Sequence, residues 1–218
     1  MALGRSLSGL EAHLALAPRP RRGWQPGRVP SKARIAAVLV LLYPNSNKAN
    51  LLLTVRSGQL TNHAGQVSLP GGCLESGETV SEAALRETDE EVGINPMQVR
   101  ILGNLSTLYV PASGFALHPV VGVMDERPVL RLASNNEVDR ILEIPLGTFL
   151  TTAGPYRGYR WHDNLQYKVP YFELGGERVW GATAMVISEL LNILGISMQH
   201  PWDKNCDSKV ELRRRDPN

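Results

Sequence analysis

Apolar positions fall into short runs along the chain, broken by turn-forming residues. Residues 35–43 and 50–56 are almost continuously aliphatic and are separated by Pro44-Asn45-Ser46-Asn47, a pattern that predicts a hairpin of two buried strands. Residues 66–69 predict a further short strand halted by Pro70-Gly71-Gly72. The period then changes. Val80, Ala83, Ala84, Leu85, Thr88 and Val92 recur at helical spacing, Thr79 and Glu82 form a capping-box pair, and Gly93 supplies a left-handed stop, so a helix is predicted over Val80–Val92. Residues 99–109, 116–124, 156–162 and 165–174 read as strands, with Pro119 and Pro170 marking edges or bulges. A short helix is expected within residues 144–152, and residues 181–194 carry Ala184, Met185, Ile187, Leu190, Leu191 and Leu194 at the period of a helix packed on a sheet.

The two ends differ from this body. Residues 18–32 hold four prolines amid Arg and Gly and predict an irregular covering arm, while the chain turns polar after Gly195. The expected organisation is an arm over residues 1–33, a folded domain over 34–195 and a polar tail over 196–218. At 218 residues, with 43% hydrophobic and 20% charged residues, the chain can bury a core without metal or disulfide staples. Its longest apolar stretch is too short for a hydrocarbon layer of about 30 Å, so no membrane partner is expected. A formal net charge of +2 implies no polyanion partner, and Arg213-Arg214-Arg215 reads as a solvated terminal run rather than a nucleic-acid contact. Cys73 and Cys206 are too distant in sequence to suggest a framework, which points to a reducing compartment. The expected location is cytoplasmic, with the mitochondrial matrix as the alternative because the first 24 residues are Arg-rich and hold one acid, Glu11.

Candidate chemistry concentrates on the helix from Val80. Glu87, Glu90 and Glu91 stand at i, i+3 and i+4, which places three like charges on one face and suggests a hard divalent cation that offsets their repulsion. No His or Cys pair stands at metal-ligand spacing, so Mg²⁺ or Mn²⁺ suits the set better than zinc. Gly71 and Gly72 let backbone approach a bound group, and Arg86 can brace Glu90 one turn on or Glu82 one turn back.

The whole spacing is more specific than the acids alone. Gly72, Glu78, Arg86-Glu87, Glu90-Glu91, Gly93 and Ile94 stand at the intervals of the Nudix hydrolase signature, a match expected by chance on the order of once in a million chains of this length. The one soft departure is Thr88, where the pattern prefers an aliphatic residue. This resemblance implies an α/β fold, an α/β/α sandwich with a mixed sheet, and hydrolysis of a nucleoside diphosphate linked to another moiety with Mg²⁺ or Mn²⁺. It assigns Glu87, Glu90, Glu91 and the Gly72 carbonyl as metal ligands, Arg86 as an orienting group and Glu78 as a loop-shaping residue. Glu137, in Asn136-Glu137-Val138-Asp139, is a candidate base or extra ligand alongside Glu90.

Upstream, Leu52-Leu53-Thr54-Val55-Arg56-Ser57, His63, Gly65 and Pro70-Gly71-Gly72 resemble the extra motif of the coenzyme A diphosphatase branch, with Thr61 in place of a spaced Arg and Leu69 in place of a Phe. The resemblance makes coenzyme A or a derivative the expected substrate and Arg56, Ser57, His63, Gly65 and Gly71 the substrate-binding candidates. Other nucleoside diphosphate compounds (ADP-ribose, NADH, nucleoside triphosphates) are the enzymatic alternative, and a non-hydrolytic nucleotide sensor is the alternative of another class. A homodimer is compatible with either.

Overall fold

A computed structural model describes residues 9–20, 25–60, 63–133, 137–151, 155–162, 165–198 and 201–202. Thr61, Asn136, Cys206, Arg213–Arg215 and residues 1–8 and 21–24 of the Arg-rich leader lie outside the described residues. In chain order the elements are α1 (Gly9–Leu16), β1 (Arg34–Asn45), β2 (Lys48–Arg56), β3 (Val67–Ser68), β4 (Gly71–Cys73), α2 (Val80–Val92), β5 (Arg100–Asn104), β6 (Leu108–Val110), β7 (Phe115–Val123), β8 (Val138–Pro145), α3 (Thr148–Thr151), β9 (Tyr156–His162), β10 (Leu165–Leu174), β11 (Glu177–Trp180) and α4 (Gly181–Ile193).

β1 and β2 are aliphatic on both faces because both faces are covered, and the sheet they centre is mixed. β1 runs parallel to β7 and antiparallel to β2 and β4. β2 pairs antiparallel with β3 and β8, and β7 with β5 and β6. α2 covers one face over Ala37, Leu39, Leu41, Leu52 and Val120. The other face packs Val38, Val40, Leu51, Leu53 and Val55 against Ile187, Leu190 and Leu191 of α4, against Phe172, Leu174 and Val179 of a second three-stranded sheet (β11-β10-β9), and against Leu16 of α1. Helix, mixed sheet and helix thus form the layers of the expected α/β/α sandwich.

Three differences from the sequence reading have physical causes. Residues 99–109 form two strands, not one. Pro119 of β7 lies inside the sheet rather than at an edge, and its missing N–H faces this partner, so pairing breaks between β5 and β6 while Leu105 N–H still reaches the Pro119 carbonyl at 2.9 Å. The freed Ser106 N–H donates instead to the buried Glu189 carboxylate. β8 was not expected at all, because Ile141 and Leu142 are adjacent and no clean alternation shows; Ile144 and Pro145 end this strand, and only Thr148–Thr151 is helical. β11 was hidden ahead of the last helix, where Gly175 and Gly176 turn the chain with φ of 59° and 82°.

Candidate active site

α2 forms as its local sequence dictates. Thr79 N–H donates to the Glu82 carboxylate at 2.8 Å, Glu82 N–H donates to Thr79 Oγ1 at 3.3 Å, and Gly93 adopts φ 73° as its N–H meets the Asp89 carbonyl. Thr88 is fully buried, and its hydroxyl donates to the Ala84 carbonyl at 2.6 Å, so the polar departure from the signature is satisfied within the helix. Beyond Gly93 an extended strap closes the helix end: Arg131 N–H and Ala133 N–H donate to the Val92 and Glu91 carbonyls at 2.9 and 3.2 Å. That strap leads the chain towards Glu137 and left no readable signal in the sequence.

Gly71 and Gly72 lie between this helix and β1. A Cβ on Gly71 would overlap the Ala37 carbonyl oxygen, and its φ of 146° suits glycine alone. On Gly72 a Cβ would overlap the Glu87 carboxylate, so the missing side chain is what seats Glu87 against the loop. Glu91 reaches the same loop, accepting from Gly71 N–H at 3.4 Å.

Arg86 organises the acids. Its Nε donates to Glu78 Oε1 at 2.7 Å and its Nη2 to Glu78 Oε2 at 3.2 Å. Its Nη1 reaches Glu87 at 3.1 Å and Glu90 at 3.2 Å, and Nη2 also donates to the Cys73 carbonyl. Of the two braces expected for Arg86, the one to Glu90 forms; the one to Glu82 does not, because that carboxylate is consumed by the helix cap. The partner that replaces it, Glu78, is eight residues upstream in a loop.

The electrostatics follow from burial. Glu91 is 3% exposed, and desolvation pushes its carboxyl up to about 7; the nearby Glu87 and Glu137 charges add to this, while the Arg56 cation and the Gly71 N–H oppose it. Glu87 is raised mainly by burial, against the pull of Arg86. Glu78 is lowered, chiefly by its hydrogen bond from Arg86. Glu137, exposed and just ahead of β8, adds its charge to those that raise Glu87 and Glu91.

The upstream residues separate into two groups. Arg56 ends β2 with its Nε buried and without a hydrogen-bond partner, and its charge opposes the rise of the Glu91 carboxyl. Its backbone holds the following loop, with Gly65 N–H donating to the Arg56 carbonyl at 3.0 Å and Arg56 N–H to the Gln66 carbonyl at 2.9 Å. Gly65 takes φ 67° to make this closure. Ser57 is buried, its hydroxyl accepting from Gln59 N–H at 3.3 Å and its N–H donating to the Glu137 carbonyl at 2.8 Å, which ties the end of β2 to the start of β8. His63 is exposed at φ 58°, its Nδ1 paired with Gln66 Oε1 at 3.1 Å. Leu69, in place of the signature Phe, is a core residue.

As these side chains stand, no three acid, histidine or cysteine groups among the described residues cluster at metal-binding spacing. The donor set still fits a hard divalent cation. Glu87 is seated in the Gly72 cradle, and the buried Glu91 is repelled by two neighbouring carboxylates, a state that a nearby positive ion relieves. No helix among the described residues is long and apolar enough to cross a membrane.

A NUDIX domain model matches residues 33–146. The uncharacterized Nudix hydrolase NudL of Photorhabdus laumondii subsp. laumondii is 36% identical over 171 residues, covering 76% of this chain and 87% of that one. Nudix hydrolase 3 of Caenorhabditis elegans is 33% identical over 173 residues, 72% of each chain. The mitochondrial coenzyme A diphosphatase NUDT8 of Homo sapiens is 33% identical over 177 residues, 80% of this chain and 75% of that one.

Proposed function

The chain belongs to the Nudix hydrolases, and from that premise we propose that it is a diphosphatase of coenzyme A or its acyl or oxidised derivatives, releasing 3′,5′-ADP and the matching 4′-phosphopantetheine. The observation that carries the reading is the buried Nε of Arg56, the marker of the upstream motif, which has no hydrogen-bond partner at the end of β2 and so leaves a donor for a phosphate. The human relative named as a mitochondrial coenzyme A diphosphatase supports the same substrate.

Glu87, Glu90, Glu91 and the Gly72 carbonyl would hold Mg²⁺ or Mn²⁺, which when bound neutralises diphosphate charge and polarises the scissile linkage. The chain's own residues supply the remaining functions. Arg56 offers planar donors to a phosphate oxygen, and Gly71 and Gly65 keep the loop close enough for backbone to approach it. Arg86 fixes Glu87 and Glu90 through its Nη1 contacts, so the ligand carboxylates stay oriented while Glu78 holds the guanidinium from behind. Glu90 or Glu137 accepts the proton of the water that attacks phosphorus, and the bridging oxygen leaves with one phosphate half. Ser57 acts through the backbone link that places Glu137, and His63 lies on the rim of the loop, available to the substrate's outer arm.

The test is hydrolysis of coenzyme A by the wild type and by Arg56→Ala, with products resolved by chromatography. The reading expects 3′,5′-ADP from the wild type and a raised KM in the variant. Cleavage with unchanged KM in Arg56→Ala would remove Arg56 as the phosphate clamp, and no cleavage of coenzyme A would remove the substrate.

Thr61, standing where the branch pattern has an Arg, favours the broader alternative, a hydrolase of ADP-ribose, NADH or nucleoside triphosphates. A non-hydrolytic sensor is disfavoured because every helix carboxylate is retained. The proposed setting is a reducing compartment, cytoplasm or mitochondrial matrix.

A further inference from the structure

On the α2 face of the main sheet, where Leu130 and Ile141 pack towards Leu52, a cleft of about 550 Å³ opens beside β8. Among the described residues it is lined by Arg127, Pro128, Val129 and Leu130 of the strap and by Ile141 and Glu143 of β8. None of these has a part in the chemistry proposed above, yet their place in the fold leads to it. Glu143, Ile141 and Val138 oppose Leu52, Thr54 and Arg56 in register, so the floor of the cleft ends two residues, roughly 7 Å along β2, short of Arg56. The strap that forms the wall continues to Arg131 and Ala133, whose N–H groups hold the Val92 and Glu91 carbonyls. Floor and wall therefore both run from the cleft to the helix acids.

The lining selects a kind of ligand. Glu143 accepts from Tyr43 Oη at 2.9 Å, from Asn45 Nδ2 at 3.1 Å and from Arg127 Nε and Nη2 at 3.1 and 2.6 Å, so its charge is offset and its lone pairs are filled. Arg127 Nη1 takes no part in that fork. The rest of the lining is apolar, and Val129 is 73% exposed beside the half-buried Leu130 and Ile141. Apolar walls with one spare donor and no net charge suit an uncharged aliphatic chain that carries amide carbonyls. A phosphate ester would instead meet the Glu143 carboxylate next to the same guanidinium. We infer that this cleft holds the pantetheine arm of the substrate, its methyl groups against Val129 and Ile141 and an amide carbonyl on Arg127 Nη1, while the 3′,5′-ADP half lies on another surface. The inference rests on the coenzyme A reading and adds to it the residues that recognise the arm.

Calorimetric binding of 4′-phosphopantetheine and of 3′,5′-ADP to the full chain, with Mg²⁺ present, tests the inference in the wild type, Val129→Glu and Val129→Ile. The wild type is expected to bind both. Val129→Glu puts a charge on the apolar wall and is expected to weaken 4′-phosphopantetheine by about tenfold or more, with 3′,5′-ADP changed by less than about twofold. Val129→Ile keeps the wall and is expected to keep the affinity. Because Val129 is exposed, both variants should fold, which a thermal melt checks. A wild type that does not bind 4′-phosphopantetheine, a Val129→Glu that binds it as tightly as the wild type, or an equal loss for 3′,5′-ADP would each overturn it. Failure of the coenzyme A reading itself shows separately, as coenzyme A left intact by the wild type.

Discussion

Replacing Glu189 with Ala should be among the most destabilising single changes in the molecule. Its side chain is fully buried in α4, lies 2.9 Å from His13 Nε2, and accepts from Ser106 N–H at 3.0 Å and from Ser106 Oγ at 2.7 Å. One carboxylate therefore satisfies α1, α4 and the gap that Pro119 opens between β5 and β6. Truncation leaves a buried histidine and a part-buried backbone N–H without their carboxylate partner. Breaking a buried charged network from one side costs roughly 3 to 5 kcal/mol. With a urea m-value of about 2 kcal/mol/M, the midpoint of unfolding should fall by about 2 M. The same group gives a pH signature. Burial raises the Glu189 carboxyl, but the contact with His13 and the hydrogen bonds from Ser106 outweigh it and hold the group below the ordinary carboxylate range. A group lowered in the folded state contributes fully above its unfolded pKa, near 4.3, and loses that contribution as pH falls through the folded value. The gap between wild type and Glu189→Ala should thus narrow in acid. Urea titrations at neutral pH and at decreasing pH measure both effects, and a loss under about 1 kcal/mol at neutral pH, or a gap that widens in acid, would refute the reasoning.

Three further outcomes follow from the site. Gly72→Ala should keep the fold, because the colliding group is the movable end of Glu87, yet lower turnover by roughly 10 to 100-fold as that carboxylate is displaced; kcat and a thermal melt taken together check it. Glu82→Ala removes half of the α2 capping box and should cost about 1 kcal/mol in denaturant unfolding while kcat per folded molecule stays within about twofold, since Glu82 touches no helix ligand. Glu90→Gln and Glu91→Gln should each lose most turnover with the fold intact, and chelation of divalent ions should silence the wild type until Mg²⁺ or Mn²⁺ is restored. Full activity in either variant or after chelation contradicts the ligand assignment.

What could be read from the sequence was what local chemistry decides. Val80–Val92 is helical at those bounds because a cap, a period and a stop glycine sit within fifteen residues, and the spacing of Glu87, Glu90 and Glu91 follows once the helix exists. Features set by distant partners were not readable. Arg86 meets Glu78 only because the loop after Gly72 folds back, and Glu82 is unavailable only because Thr79 captures it. β8 hides its strand character because Leu142 and Ile144 face one core while Ile141 packs on the other. Pro119 was expected at an edge or a bulge; the sheet keeps it inside, and the neighbouring strand breaks and shifts register opposite it. Ser57 lies within the substrate motif by sequence, and its buried hydroxyl accepts from Gln59 N–H in the turn after β2, a contact the motif alone did not show.

The central claim is tested most directly by kcat/KM for coenzyme A, ADP-ribose, NADH and a nucleoside triphosphate, each with Mg²⁺ and with Mn²⁺, with products separated. The account predicts that coenzyme A leads by a wide margin and yields 3′,5′-ADP and 4′-phosphopantetheine. A different diphosphate in the lead, or no turnover of any of the four, would contradict it.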